Sequence, residues 1–140
     1  MDQIVKLLMI ENQRNGDDFI DDPSWSDIEE ALHKIDGMYV TYLGFYKEEE
    51  PTEEDFLMVG GGIGGKHYVC CYYNKGEDYY VLNQHEKEPD KIVDVPIGQM
   101  GAKKKKYCND LKDIIAPVKY FYETGKMSPD VKWEIPTFKR

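Results

Sequence analysis

The sequence has no long hydrophobic run: apolar residues nowhere continue for the roughly 18 positions a membrane-spanning helix needs. Serine is scarce, with only Ser24, Ser26 and Ser128, and no G-x-S-x-G stretch marks a serine nucleophile. Cysteine is limited to Cys70, Cys71 and Cys108, an odd number that suggests no disulfide framework. No C-x-x-C or H-x-x-x-H spacing occurs, and His67 with Cys71 would make only half of a tetrahedral metal site. The first residues lack the basic start and cleavage site of a signal peptide. Carboxylates abound, but they fall in loops without apolar neighbours to raise a pKa. These absences lead us to expect a cytoplasmic protein with no membrane partner, no metal, no cofactor and no catalytic centre.

What is present is acid. The 140 residues carry 27 acidic and 18 basic side chains, nine net negative charges, and 41% hydrophobic residues make the chain too apolar for disorder. The length suits one domain over residues 1–140. Residues 1–60 hold 16 acidic against 4 basic side chains, whereas residues 61–140 hold 11 against 14. Two clusters stand out: Asp17, Asp18, Asp21 and Asp22, then Glu48, Glu49, Glu50, Glu53, Glu54 and Asp55. Such density repels phosphate and argues against nucleic acid as a direct partner. It suits a basic protein surface, and the ten residues are the candidate binding groups. The basic run Lys103, Lys104, Lys105 and Lys106 has no interleaved aromatics and reads as a solvated turn.

The chain pattern predicts an α+β fold. A short apolar run over residues 3–10 reads as a buried strand, and residues 11–22 as a loop. Asp22 and Pro23 can open a helix whose apolar face is Trp25, Ile28, Leu32 and Ile35, with Gly37 as its left-handed end. Strands are expected over residues 38–46, 56–59, 66–73 and 79–82, with a tight hairpin turn at residues 74–77. Residues 92–97 read as an edge strand, since Pro96 cannot donate to a central ladder. Asn109 should cap a second helix running to about residue 124, kinked by Pro117 and ended by Gly125. The expectation is an antiparallel sheet of about five or six strands, covered on one face by an N-terminal and a C-terminal helix. The glycine run at residues 60–65 formally satisfies G-x-G-x-x-G. The strand pattern that follows it makes it a strand-to-strand connection rather than a dinucleotide site.

Three landmarks together resemble a known family. The first helix runs into Asp36-Gly37 and a strand, and Gly60-Gly61 ends a strand ahead of a tyrosine-rich hairpin. Phe121, Gly125, Pro129 and Trp133 then form an F-x-x-x-G-x-x-x-P-x-x-x-W string. Over residues 24–134 this resembles immunity protein family one of bacterial polymorphic-toxin systems, from which the chain departs at Pro117 and in its long glycine run. The resemblance implies a non-catalytic inhibitor, not an enzyme, whose partner is a cognate secreted toxin domain, often a nucleic-acid deaminase. An acidic protein could occlude the basic substrate groove of a deaminase or nuclease. The alternatives are an acidic adaptor domain, or a small-molecule-binding domain using the residue 60–65 loop and His67.

Overall fold

Apolar side chains at alternate positions of an extended chain give it two usable faces, and both faces of this sheet are used. The computed structural model describes residues 3–52, 54–97 and 101–136. Its elements in chain order are β1 (Leu7–Asn12), β2 (Asp18–Asp21), α1 (Trp25–Lys34), β3 (Val40–Tyr46), β4 (Asp55–Gly61), β5 (Tyr68–Asn74) and β6 (Glu77–Val81). They continue with β7 (Ile92–Asp94), β8 (Ala102–Lys104), α2 (Leu111–Thr124) and β9 (Trp133–Glu134). Seven strands form one antiparallel sheet in the order β2-β1-β3-β4-β5-β6-β9, while β7 and β8 pair as a separate ribbon.

The α+β class is as expected; the strand count and the placement of the helices are not. The sheet has seven strands rather than five or six. Residues 11–22 are not wholly a loop, because β2 folds back on β1 as a hairpin. Four β2 residues, two of them aspartate, carry too short an alternation to read from sequence. Helix α1 is therefore not N-terminal: it follows a strand pair, and α2 is in turn followed by β9. Residues 92–94 pair with β8 rather than with the main sheet.

Both helices cover one face. Ile28, Ala31 and Leu32 of α1 and Ile114, Val118 and Phe121 of α2 share a core with Leu8, Leu43, Phe45, Leu57, Cys70 and Tyr72. Trp25 is half-buried at its margin, 5.8 Å from the Tyr122 ring. The N-cap of α1 is Ser24, not Asp22. Ser24 Oγ accepts from the Asp27 N–H while the Asp27 carboxylate accepts from the Ser24 N–H, a reciprocal capping box. Helix α1 ends at Ile35, and Asp36 Oδ1 then accepts the N–H groups of Met38, Tyr39 and Val40 to set up β3. Asp110 precedes α2 as its N-cap. Asn109, expected there, is instead buried, and its side chain donates to the Val81 carbonyl at 3.2 Å. Pro117 sits buried inside α2, and Gly125 closes that helix with its N–H on the Phe121 carbonyl at 2.7 Å.

Expectation and structure agree on the hairpin turn. Asn74 pairs with Glu77, and Lys75 and Gly76 both have positive φ, the mirror-image turn that matches strand twist. The glycine run connects β4 to β5 through one 3-10 turn, Ile63–Gly65. His67, also at positive φ, precedes β5 rather than lying in it.

Candidate functional site

The sheet's second face is covered over only part of its width. Under the ribbon, Val69, Cys71 and Tyr80 pack with Val95, Tyr107 and Cys108. Cys70 and Cys71 thus point into opposite cores, as strand alternation requires, and both are fully buried. Burial and the nearby Asp78 push the Cys71 thiol up to about 12, so it is inert at neutral pH.

Toward β1 and β2 the same face opens into a groove of about 790 Å³, lined chiefly by Met9, Glu11, Phe19, Tyr42, Tyr46 and Phe56. The pairing register arranges its floor in rows. In one row Tyr46, Phe56 and Tyr73 lie side by side on β3, β4 and β5, successive ring centroids 5.3 Å apart. The next row places Phe19, Met9, Gly44 and Met58 across β2, β1, β3 and β4. Gly44 has a steric reason: a Cβ there would lie 2.6 Å from the Tyr46 ring, which folds back over the strand. The ring's hydroxyl meets that of Tyr42 at 3.2 Å. The third row pairs Glu11 with Tyr42, and a β-bulge at Glu11 and Asn12 ends it.

Electrostatically the groove is one-sided. Glu11 is half-buried, and partial burial, with Asp17 nearby, raises its pKa above the usual glutamate value. Burial likewise raises Tyr42 well above the ordinary phenol and Tyr46 above it, so both are neutral donors and acceptors. Among the described residues no Lys, Arg or His forms an ion pair with Glu11.

None of the clustered carboxylates lines this groove, but both acidic segments border it through residues that lie among them. Phe19, on the groove's edge, lies within the first cluster, and Pro51 and Thr52, which also line it, lie within the second. Asp17 is exposed near Glu11, and alternation along β2 puts Asp21 on the side of Phe19. Asp18, opposite Ile10, takes the other face. Asp22 is held at positive φ ahead of α1, its N–H on the Lys6 carbonyl. Glu48, Glu49, Glu50 and Glu54 are exposed, and Glu53 lies outside the described residues. Asp55 belongs to the helix-covered side. Its carboxylate pairs with Lys47 Nζ at 2.8 Å, and that ammonium sits over the rings of Phe121 and Tyr72 at 5.4 and 5.9 Å.

The basic run is not a solvated turn. Lys104 pairs with Asp90 at 3.6 Å, Lys105 with Glu88 at 3.5 Å and Lys106 with Glu134 at 3.2 Å, and Lys103 lies over the Tyr80 ring. Sequence reasoning missed Glu11, Tyr42, Tyr46 and Phe56 as site residues. The available signal was the period-two recurrence of aromatics outside the helix-facing positions.

No family model matches the chain, and no curated protein matches it. The Phe121, Gly125, Pro129, Trp133 string has architectural work of its own. Phe121 fills the core, Gly125 ends α2, and Trp133 Nε1 donates to the Ser128 carbonyl at 2.9 Å as β9 joins the sheet edge. Among the described residues no three His, Cys, Asp or Glu side chains stand together as a metal site, and no helix is long and apolar enough to cross a membrane.

Proposed function

We propose that this chain is a non-catalytic inhibitor of the immunity-protein kind, which binds a cognate toxin domain and covers its basic substrate groove. One observation carries the reading: two acidic segments far apart in sequence border an aromatic-floored groove whose lining, among the described residues, contains a carboxylate and no cation. Aromatic faces supply contact area at little entropic cost, and the surrounding carboxylates steer a basic partner toward them. Toxins that act on nucleic acid, whether deaminase or nuclease, carry such a basic surface because they must hold phosphate. Steering can raise association from a neutral 10⁵–10⁶ to about 10⁸–10⁹ M⁻¹s⁻¹ at low salt. An interface of standard size would bury about 800 Å² on each partner, more than the groove alone, and so would include both acidic flanks.

The test begins with the neighbouring reading frame, expected to encode a large secreted protein with a toxic C-terminal domain. Expression of that domain should stop growth, and co-expression of this chain should restore it. Neutralising Asp17, Asp21, Glu48, Glu49 and Glu50 with Asn and Gln should slow association at least about tenfold at low salt and flatten its salt dependence. Unchanged protection and kinetics in that variant would refute the reading.

A further inference from the structure

We propose that the groove is a receptor for one cationic side chain of the partner, which lies on the Tyr42–Phe56 aromatic floor with Glu11 as its counter-ion. This deepens the inhibitor reading and rests on it for the identity of the partner, but the site itself stands on separate observations.

The first is an internal precedent. On the helix-covered side Lys47 places its ammonium over the rings of Phe121 and Tyr72 and pairs it with Asp55 at 2.8 Å. The groove repeats two of those three parts, aromatic faces and a half-buried carboxylate, and among the described residues the cation is the missing one. The second is the position of Glu11. Partial burial and Asp17 both disfavour its charge, so the groove holds a carboxylate at a cost that an incoming cation would remove. The third is Phe19, a large apolar side chain 55% exposed on the edge strand beside that carboxylate. Phe19 and Met9 form one wall for the aliphatic stem of an inserted side chain, while the half-buried rings of Tyr42 and Phe56, backed by the buried Tyr46, are the aromatic surface left for its head. Arginine fits better than lysine. Its planar guanidinium can lie on a ring and still present paired N–H groups to a carboxylate, and it gives up its water more readily.

The site can be tested on the full chain without the partner. Acetyl-arginine methylamide is titrated into the ¹⁵N-labelled protein at low salt, with the lysine and citrulline analogues in parallel. We expect saturable shifts at Glu11, Phe19, Tyr42 and Phe56 with arginine, weaker ones with lysine, and none with citrulline, which keeps the shape but not the charge. Glu11→Gln should weaken arginine binding at least about tenfold, and Phe19→Ala about threefold. Both variants should keep the parent's spectrum elsewhere, which separates loss of the site from loss of the fold. Absence of saturable shifts, equal shifts with citrulline, or binding indifferent to Glu11→Gln would overturn the proposal. Against the toxin domain the two ideas separate. If the neutralised flanks weaken binding but Glu11→Gln and Phe19→Ala do not, the cation site is wrong and the inhibitor reading survives. If none of the variants matters, both fall.

Discussion

Two halves of one sheet face differ in what covers them and in the charge around them. Where β5 and β6 present Val69, Cys71 and Tyr80, the segments adjoining the ribbon lay Val95, Tyr107 and Cys108 on top and close a second core. Where β1, β3 and β4 present Met9, Tyr42, Tyr46 and Phe56, no helix or strand among the described residues is laid over the floor and a groove remains. The strands are alike in alternation and in aromatic content, so the distinction comes from charge and cover. The closed half keeps its cations at the rim neutralised by Asp90, Glu88 and Glu134. Among the described residues, Glu11 and Asp17 in the open half form no such ion pair. On the proposed inhibitor reading, that combination of apolar surface and charge of one sign is what a basic partner would meet.

The comparison can be broken most directly by large-to-small substitutions. Phe121→Ala, on the helix-covered side, should cost about 3–5 kcal/mol in urea unfolding, whereas Phe19→Ala at the groove should stay within about 0.5 kcal/mol. Similar costs at both positions would mean that the groove is part of the folding core after all. Val95→Ala comes next, at about 2 kcal/mol, because it thins the ribbon's contact with the sheet. That variant should also expose Cys71 to a disulfide-forming probe. In the parent the three buried thiols should react no faster than the chain opens, with Cys108 held at about 11 chiefly by burial.

Gly44→Ala sharpens the contrast from the open side. The added methyl displaces the Tyr46 ring from the strand, which should cost about 1 kcal/mol in stability. It should also break the Tyr42–Tyr46 hydroxyl contact and weaken arginine binding by more than the stability change suggests. The smallest effect is expected at Glu11. Its pKa is raised in the folded chain, so the folded state holds that proton more tightly than the unfolded state does. The associated stability is present below the ordinary glutamate range and is lost as pH rises through the raised value. Glu11→Gln should therefore leave stability at pH 7 unchanged or slightly higher, within about 0.5 kcal/mol, and flatten the acid-side pH dependence. A variant that is no less stable yet loses cation binding would mark Glu11 as a residue kept for recognition.

How much of this was legible depended on the range of the interactions involved. The apolar spacing of Ile28 and Leu32, the glycine closing α2 and the Lys75-Gly76 turn are local, set by steric preference and by the helical and extended periods. They could be read without a fold. Cap identity was already harder. Asp22 and Asn109 have suitable side chains, but Ser24 is the residue that meets its Asp27 partner, and Asn109 is drawn inward by the Val81 carbonyl. The clustering of acid was visible in the sequence, but not that Asp55 would turn to Lys47 while Glu48, Glu49, Glu50 and Glu54 stayed exposed.

By itself, then, the sequence determined the α+β class, the helix faces, the turn chemistry and the acidic character of the first sixty residues. Each follows from the residue types and their near neighbours. Only the tertiary structure decided which half of the second sheet face would be covered and that Phe19, Glu11, Tyr42 and Phe56 would share a groove. The same holds for the lysine run, in which Lys104, Lys105 and Lys106 pair with Asp90, Glu88 and Glu134 while Lys103 lies over the Tyr80 ring. Those outcomes depend on strand order and register, which bring together side chains tens of residues apart. Register is settled by the burial of the whole sheet rather than by any one strand's own preference.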